Sequence, residues 1–337
     1  MQLRFYLIRR LLLFIPVLLG LSVITFTVSH IVPGDPVGLA AGPGATPQEI
    51  EQLQLEFGTK KPLPEQYLTY MTNLLHGDLG RSMTSHHKVL EDLIAFFPAT
   101  LELVLVAMTL AVSLAIPLGI ISAVYRDRWP DQVTRIFALS SISFPIFWLA
   151  IVLQIVFAMT LGWMPVGGRF DVRETLPPTI TGMLLLDSLL AGNLTDFLIA
   201  LKHIIMPALC QSLVVIAFTM RLLRSDVLET LQKDFVRMAR ASGIPERIIL
   251  FKYVLKNSLI ATLSTLGFLI GFALGGSVLI ESVFDWPGIG LYALKSATTL
   301  DFQPIMGITL FVGLLFSIVN LTTDVAYGMV DPRIRYG

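Results

Sequence analysis

The chain has 337 residues, of which 54% are hydrophobic and 14% are charged, and its mean hydropathy is +0.75. This composition excludes an ordinary soluble globular protein and indicates an integral membrane protein. The 24 basic and 24 acidic residues cancel, so net charge gives no sign of a nucleic-acid partner, and the single cysteine, Cys210, rules out an internal disulfide.

Six apolar runs are long enough to cross a hydrocarbon core of about 30 Å, which takes roughly 20 helical residues. They cover approximately residues 7–31, 99–124, 136–161, 203–220, 258–283 and 304–328. The first run is longer than the apolar core of a secretory signal, and no small-residue cleavage site follows it, so we interpret it as a retained span. We therefore expect an all-α integral membrane protein with six transmembrane helices.

Lys and Arg residues indicate the side of the membrane on which each loop lies, because they accumulate in cytoplasmic loops. If the N-terminus is cytoplasmic, most of the 24 Lys and Arg residues fall in inner segments. The predicted topology is therefore N-in and C-in, and the stretch between the fourth and fifth spans is cytoplasmic.

The first outer segment, residues 32–98, is too long for a turn and carries helix signals of its own. The sequence TPQE at 46–49 combines an N-cap, a proline at the first helical position and a capping-box glutamate, and Gly58 is placed to end that helix. A second helix is expected over 64–76. We predict an N-terminal transmembrane helix (1–31), a small extracytoplasmic helical cap (32–98) and a membrane core (99–337).

The predicted fifth span contains Gly267, Gly271 and Gly275 at a spacing of four, which places them along one face of a helix. Such a face lets two helices approach closely, so helix packing is the favoured interpretation. Broken, closely packed helices also line transport pathways. The stripe alone does not decide between the two.

Motifs for catalysis and metal binding are absent from the sequence. It has no G-x-x-x-x-G-K-[ST] loop for nucleotide phosphates, no H-E-x-x-H or G-x-S-x-G motif and no cluster of Cys and His. The adjacent His86 and His87 lack a third ligand, so we assign them to a solvated loop. We expect no catalytic residue, no metal site and no cofactor in this chain, which argues against a membrane enzyme.

Polar side chains within or beside the spans are the candidates for a transport pathway, because charge is costly in hydrocarbon. The candidates in the membrane core are Gln154, Asp187, Gln211 and Glu281. For Glu281, as for Glu102 and Asp324 at other span ends, pairing or snorkelling competes with substrate contact. The alternative for the two glutamines is an interhelical hydrogen bond. Asp187 interrupts a short apolar stretch, which is either a re-entrant element facing the pathway or a segment packed on the outer rim.

Charge is concentrated in the predicted cytoplasmic stretch DFVRMARASGIPERIIL, residues 234–250. A helix beginning at Asp234 can end at Gly243, and Pro245 and Glu246 suit the first turn of a second helix. One face of the first helix combines small and apolar residues, with two arginines beside it: Phe235, Met238, Ala239, Ser242, Arg237 and Arg240. This surface suits either a cleft on a partner protein or anionic lipid, and the tight bend at Gly243 favours the partner.

This stretch resembles the cytoplasmic motif of ABC importer permeases, which docks on the ATP-hydrolysing subunit. The segments RRLLLFIPVLLGLSVITF, IVPGDP, HGDLG, PATLEL, SFPIFW, GGSVLIESVFDWPGIG and DPRIR are similar to the B-type permease subunit of dipeptide, oligopeptide and nickel importers, in order and over nearly the whole chain. The resemblance implies an ABC permease core with a coupling helix at about 234–248. The ATPase-docking residues that it implies are Asp234, Arg237, Ala239, Arg240, Ala241, Gly243 and Glu246.

Two positions depart from the usual pattern of this family. Ser242 stands where a lysine is common, which removes one charged contact but not the docking. Asp285 stands where a serine is usual before Trp286, in the FDWPGIG turn that is expected at the outer mouth. We add Asp285 and Trp286 to the pathway candidates, because an acid at this mouth would bear on substrate preference.

The resemblance implies a subunit that imports di- or oligopeptides at the bacterial inner membrane, with energy from ATP and Mg bound by two ABC ATPase subunits. A homologous C-type permease would complete the pathway, and a periplasmic or lipid-anchored binding protein would deliver the peptide. Membrane lipid is the other expected partner, and nucleic acid is not one.

Related permeases import antimicrobial peptides, haem, glutathione or nickel chelates, so these substrates stay open. An ion-coupled secondary transporter is the alternative from another class. It is disfavoured, because the two halves of the chain show no convincing repeat and the acids lie near the span ends.

Overall fold

The computed structural model describes residues 3–31, 46–48, 51, 61–171 and 173–330. The first predicted cap helix lies mostly outside these residues, since neither Glu49 nor Gly58 is among them. The DPRIR sequence at 331–335 also lies outside the described residues.

The regular secondary structure of the described residues is helical apart from one isolated bridge between Arg81 and Lys88, as expected of an all-α membrane protein. In chain order these are α1 (Leu3–Ile31), α2 (Leu63–Leu75), α3 (Val89–Val124), α4 (Trp129–Ser143), α5 (Ile146–Leu153), α6 (Leu184–Leu190), α7 (Leu194–Thr230), α8 (Asp234–Ala241), α9 (Glu246–Ile248), α10 (Leu255–Gly276), α11 (Val278–Val283), α12 (Ile289–Thr298) and α13 (Phe302–Val330). Two π-helical turns, Gln154–Thr160 and Ile249–Val254, continue α5 and α9. The helix expected over 64–76 is α2, and the helix pair expected in the stretch 234–250 is α8 and α9.

By length and hydropathy, α1, α3, α7 and α13 can each cross a membrane. The run expected as one span over 136–161 is instead two helices, α4 and α5 with its π turn, which are bent by 103°. The break lies at Pro145, because this residue has no N–H to continue α4 and keeps Phe144 extended at φ −91° and ψ 135°. A single span over this run stays a prediction. If the bent pair is counted as one span, it is the fifth candidate. In α10, the apolar part Thr265–Gly276 is shorter than these spans.

Several helices extend beyond the apolar runs, because polar residues at their ends are helical too. Helix α3 begins at Val89, so the boundary expected after residue 98 falls inside it. Helix α7 covers Leu194–Thr230 instead of 203–220, and its first turn is capped by Asn193, whose side chain accepts the N–H groups of Thr195 and Asp196. The fifth run is divided between α10 and α11.

Helices α3 and α7 pack along one another at the centre of the fold, and α4, α10 and α13 lie around them. Small residues let the two central backbones approach. A Cβ built on Gly119 of α3 would lie 3.1 Å from the carbonyl oxygen of Met220 and 3.2 Å from Leu223 Cβ on α7. The other small residues in these cores are Ala107, Ala111 and Ala115 on α3, and Ala208 and Ala217 on α7.

The glycine stripe of α10 packs against α13. Gly267 lies against Thr323, and a Cβ built on Gly271 would lie 2.6 Å from Phe316 Cδ2. At Gly275 the nearest atom to such a Cβ would be Val312 Cγ1, at 3.9 Å. These contacts support the helix-packing interpretation of the stripe.

We predict that G271A destabilises the protein relative to G275A. A methyl group at position 271 would overlap the Phe316 ring, and overpacking of this kind costs about 1–3 kcal/mol. Position 275 has ordinary van der Waals room. Both substitutions change helix propensity equally, so the difference between their thermal unfolding midpoints in detergent isolates the packing effect. Equal midpoints would contradict the assignment.

Candidate functional site

The candidate docking site is the exposed bend between α8 and α9. Helix α8 ends in a hydrogen-bonded turn, in which the Gly243 N–H donates to the Arg240 carbonyl at 3.0 Å and the Ile244 N–H donates to the Ala239 carbonyl at 3.2 Å. Gly243 has φ +73°, in the left-handed region that glycine enters without strain. No atom lies within 4 Å of a Cβ built there, so the position borders open space.

An ion pair between Arg240 and Glu246 closes this bend. Arg240 Nε and Nη2 donate to Glu246 Oε1 and Oε2 at 2.7 and 3.3 Å. The hydrogen bond from Arg240 holds the pKa of Glu246 below its ordinary value, against a smaller opposing effect of burial. Both side chains are exposed, so the pair orients α8 relative to α9 more than it stabilises the fold.

Helix α8 buries one face and exposes the other. Val236 and Ala239 are buried in a cluster with residues of α7 and of the turn that follows α9, whereas Met238 is 69% exposed. Ala239, expected on the exposed face with Phe235, is on the buried face instead, because it follows Val236 by three positions. The predicted docking residues that are exposed are Asp234, Arg237, Arg240, Ala241, Gly243 and Glu246.

An ion pair with a buried carboxylate, which the sequence analysis did not select, joins α7 to the first turn of α4. Arg224 Nε and Nη2 donate to Asp131 Oδ1 and Oδ2, both at 2.8 Å. The same carboxylate accepts the Ser122 hydroxyl at 2.6 Å and the Asp127 N–H at 2.9 Å. Asp131 is fully buried. The two partners are 93 positions apart, so no local pattern could reveal them.

The FDWPGIG turn, expected at the outer mouth, is braced against α3. Trp286 is 1% exposed, and its indole N–H donates to the Ala99 carbonyl at 2.8 Å. Glu281 is also buried and accepts the Thr100 hydroxyl at 2.8 Å and the Leu291 N–H at 3.0 Å. In this structure both pathway candidates therefore hold the turn in place and do not face open space.

Asp285, the acid that departs from the family pattern, is exposed beside the buried Trp286. Its φ of +47° lies in the left-handed region, which Asp enters more readily than most residues. The backbone conformation therefore provides a structural explanation for an aspartate at this position. A contact between Asp285 and substrate stays a prediction.

The two candidate glutamines bridge separate parts of the chain. Gln154 Nε2 donates to the carbonyl oxygens of Val166 and Val283 at 2.8 and 2.9 Å. Gln211 Nε2 donates across to the Ala273 carbonyl of α10 at 3.0 Å. Both glutamines therefore make hydrogen bonds between separate elements, as the alternative to a pathway role predicts.

Glu102 is paired with an arginine that the sequence analysis did not select. Arg169 Nη2 donates to Glu102 Oε2 at 2.6 Å, and the guanidinium carbon lies 5.5 Å from the centre of the Trp286 ring. The Leu185 N–H donates to Glu102 Oε1 at 2.6 Å. Pairing therefore accounts for this buried glutamate without a substrate contact.

Asp187 organises the loop that precedes α7. Its buried carboxylate accepts the N–H groups of Ile180, Thr181 and Gly182 at 3.2, 2.7 and 3.0 Å, and the Thr181 hydroxyl at 2.7 Å. Burial raises the pKa of Asp187, but these hydrogen bonds together outweigh burial, so the pKa lies below its ordinary value. The side chain is turned into its own loop, which matches the packed interpretation and not a pathway-facing one.

Family models match both parts of this chain. Residues 2–104 match the N-terminal domain of the membrane component of binding-protein-dependent transport systems, and residues 115–336 match the inner membrane component of these systems. The chain belongs to this family. It is an integral inner membrane permease subunit of a binding-protein-dependent importer and not an enzyme, and the ATPase activity of such importers lies in partner subunits.

Three curated relatives show how far the similarity of this permease extends. It is 44% identical over 321 residues to the probable D,D-dipeptide transport system permease protein DdpB of Escherichia coli (strain K12), which covers 95% of this chain and 94% of the relative. It is 37% identical over 331 residues both to the dipeptide permease protein DppB of Alkalihalophilus pseudofirmus and to the glutathione permease protein GsiC of Pectobacterium atrosepticum. Each of these two matches covers 98% of this chain and 99% of the relative.

We predict that the loop before α7 loosens in acid through Asp187. Because the folded-state pKa is lowered, the stabilisation is complete above the unfolded pKa of about 3.9 and is lost as the pH falls through the folded pKa. Hydrogen-exchange protection of the N–H groups at 180–182 should therefore fall below about pH 3.9. D187N should show low protection at neutral pH and no such acid step. If the protection of these N–H groups in the wild type stays constant as the pH falls below about 3.9, the role given to Asp187 is contradicted.

Proposed function

We propose that this chain is a permease subunit of an ATP-driven importer of dipeptides and other short peptides. The observation that carries the proposal is the α8–α9 pair, which is anchored to the fold on one face and exposed on the other. The identity of 44% and 37% to two dipeptide permeases supports peptide as the substrate. Glutathione, itself a small peptide, is the second candidate, since the GsiC relative is also 37% identical.

The proposed topology has six spans with both termini in the cytoplasm. The spans are α1, α3, the bent pair α4 and α5, α7, α10 and α13. The 22 residues of α10 rise by about 33 Å, which is enough for a hydrocarbon core of about 30 Å. The distribution of Lys and Arg supports a cytoplasmic α8–α9 pair and an extracytoplasmic cap that includes α2.

The proposed complex lies in the bacterial inner membrane, as the bacterial sources of the relatives support. A homologous C-type permease forms the other half of the pathway, and two ATPase subunits bind ATP and Mg. A periplasmic or lipid-anchored binding protein delivers the peptide to the outer face. The absence of a phosphate-binding loop from this sequence supports the assignment of ATP to separate subunits.

The composition of the exposed α8 surface favours a protein partner over anionic lipid. Asp234 and Glu246 lie among the arginines, and both are exposed. Arg237 Nη1 lies 3.6 Å from Asp234 Oδ1, and Arg240 pairs with Glu246. A surface that binds anionic lipid by charge is a cluster of Lys and Arg without such acids.

We predict that G243V uncouples ATP hydrolysis from peptide uptake while membrane insertion continues. Valine at φ +73° is strained, and a left-handed conformation costs an L-residue roughly 1–2 kcal/mol, so the bend must change. We expect uptake to fall at least about tenfold, the effect of roughly 1.4 kcal/mol. Uptake and hydrolysis are measured in parallel in membrane vesicles that contain the assembled complex.

The matched control for this prediction is G162V in the outer loop. Gly162 has φ +63°, and no atom lies within 4 Å of a Cβ built there, so valine is strained in the same way but outside the α8–α9 pair. We expect normal coupling in G162V. Normal peptide uptake by G243V would contradict a docking role for the bend.

Co-purification tests the proposed function as a whole. The chain is affinity-tagged in its native membrane and gently solubilised, and ATP hydrolysis is assayed with and without binding protein and a dipeptide. We expect a second permease and ATPase subunits to co-purify, and hydrolysis to rise when loaded binding protein is added. A chain that purifies alone and moves solute in liposomes without ATP would overturn the proposal in favour of an ion-coupled transporter.

A further inference from the structure

The α8–α9 pair, called the docking pair below, is joined to the end of α7 by a short, hydrogen-bonded linker. Between Thr230 and Asp234 the linker consists of residues 231–233. Their N–H groups donate back to the carbonyls of Val227, Glu229 and Thr230, at 2.9 to 3.1 Å. A displacement of α8 is therefore passed to the last turns of α7 and is not absorbed by a loose loop.

Arg224 lies in these last turns and makes an ion pair from α7 to α4, beside the apolar packing of Ala138 against α7. Its two parallel bonds to Asp131 fix the orientation of α7 relative to α4 as well as the distance, which a single-point contact does not do. Asp131 also holds the Ser122 hydroxyl and the Asp127 N–H, so the end of α3, the turn and the start of α4 meet at one carboxylate.

Helix α4 runs from this carboxylate to the break at Phe144 and Pro145. The carboxylate is near its first residue, and the 15 residues of α4 extend for about 22 Å. Beyond the break, the π turn that continues α5 is tied to two other segments, because Gln154 donates to the Val166 and Val283 carbonyls. Pro145 has no N–H with which to bond α4, so the two helices can change their angle without losing a hydrogen bond there.

We propose that the Arg224–Asp131 ion pair is the joint through which displacement of the docking pair moves α4, which then pivots at the Phe144–Pro145 break while α5 stays fixed. This inference rests on the proposed function, because it requires that an ATPase partner moves α8. Arg224 and Asp131 are positioning residues in this scheme. They change the pathway through α4 and do not touch the substrate.

The substitution R224K tests the joint. Lysine keeps a counter-ion for Asp131 but cannot make two parallel bonds. The complete complex is reconstituted in liposomes with binding protein and dipeptide, and the measured quantity is peptide transported per ATP hydrolysed. We expect this ratio to fall at least about fivefold, the lower end of coupling between sites in proteins, while ATP hydrolysis per assembled complex continues.

The chain provides a matched control and a milder second variant. R10K makes the same replacement in the ion pair between Arg10 and Asp324, which joins α1 to α13 at 2.7 Å, and we expect its ratio to equal that of the wild type. S122A removes only the 2.6 Å hydrogen bond to Asp131 and changes no charge. We expect S122A to assemble and to lower the ratio in the same direction but by less, so it decides the question even if R224K does not assemble.

A purely structural role for the pair gives a different result from a joint. It would reduce the amount of assembled complex in R224K and S122A but leave peptide per ATP unchanged, and this outcome overturns the inference. An equal fall of the ratio in R10K also overturns it. If the wild-type complex itself fails to couple hydrolysis to uptake, the proposed function fails, and that result is distinct from unchanged ratios in a coupled wild type.

Discussion

Buried carboxylates at the points where helices end are the interactions on which this structure depends. Where a helix ends inside an apolar fold, backbone N–H groups lose their helical partners and water cannot reach them. Each unsatisfied N–H group then costs free energy of folding. Asp131, Asp187 and Glu281 each accept such an N–H together with a hydroxyl. One carboxylate accepts several hydrogen bonds at once, and those to a charged group are the stronger kind. Each break is thereby held in one geometry.

The two ends of the fold use this interaction to different degrees. At the end that is proposed to face outward, Glu102, Asp187 and Glu281 hold the loop before α7 and the FDWPGIG turn. Gln154 and Trp286 add further bonds to backbone carbonyls there. At the other end, the bend between α8 and α9 is closed by an exposed ion pair, and a single carboxylate gathers α3, α4 and α7. The proposed outer end is thus braced at many points. At the end with the α8–α9 pair, the bonds to Asp131 add a directional link to the apolar packing of α8 against α7 and against the turn after α9.

The sequence predicts the features of this permease that depend on neighbouring residues. The apolar runs identify α1, α3, α7 and α13 as helices able to cross a membrane. The signals at Gly243 and Pro245 identify the α8–α9 pair, because helix ends are determined locally. Local signals do not give the direction in which a helix faces, so Ala239 was assigned to the wrong face. Pro145 marks a break, but the 103° bend depends on what α4 and α5 pack against. The partners of Arg169 and Arg224 are 67 and 93 positions away, beyond any local pattern.

Stability alone does not explain why α4 and α7 contact each other through the charged pair Arg224 and Asp131. A buried ion pair is often no more stabilising than apolar residues of similar volume, because desolvation offsets the attraction. Apolar side chains would also leave the Asp127 N–H without the acceptor that Asp131 provides. Apolar side chains could also slide past one another, whereas two parallel hydrogen bonds are broken when either helix rotates. Directional bonding therefore gives this contact what a transmitted movement requires, which is a fixed register between α4 and α7.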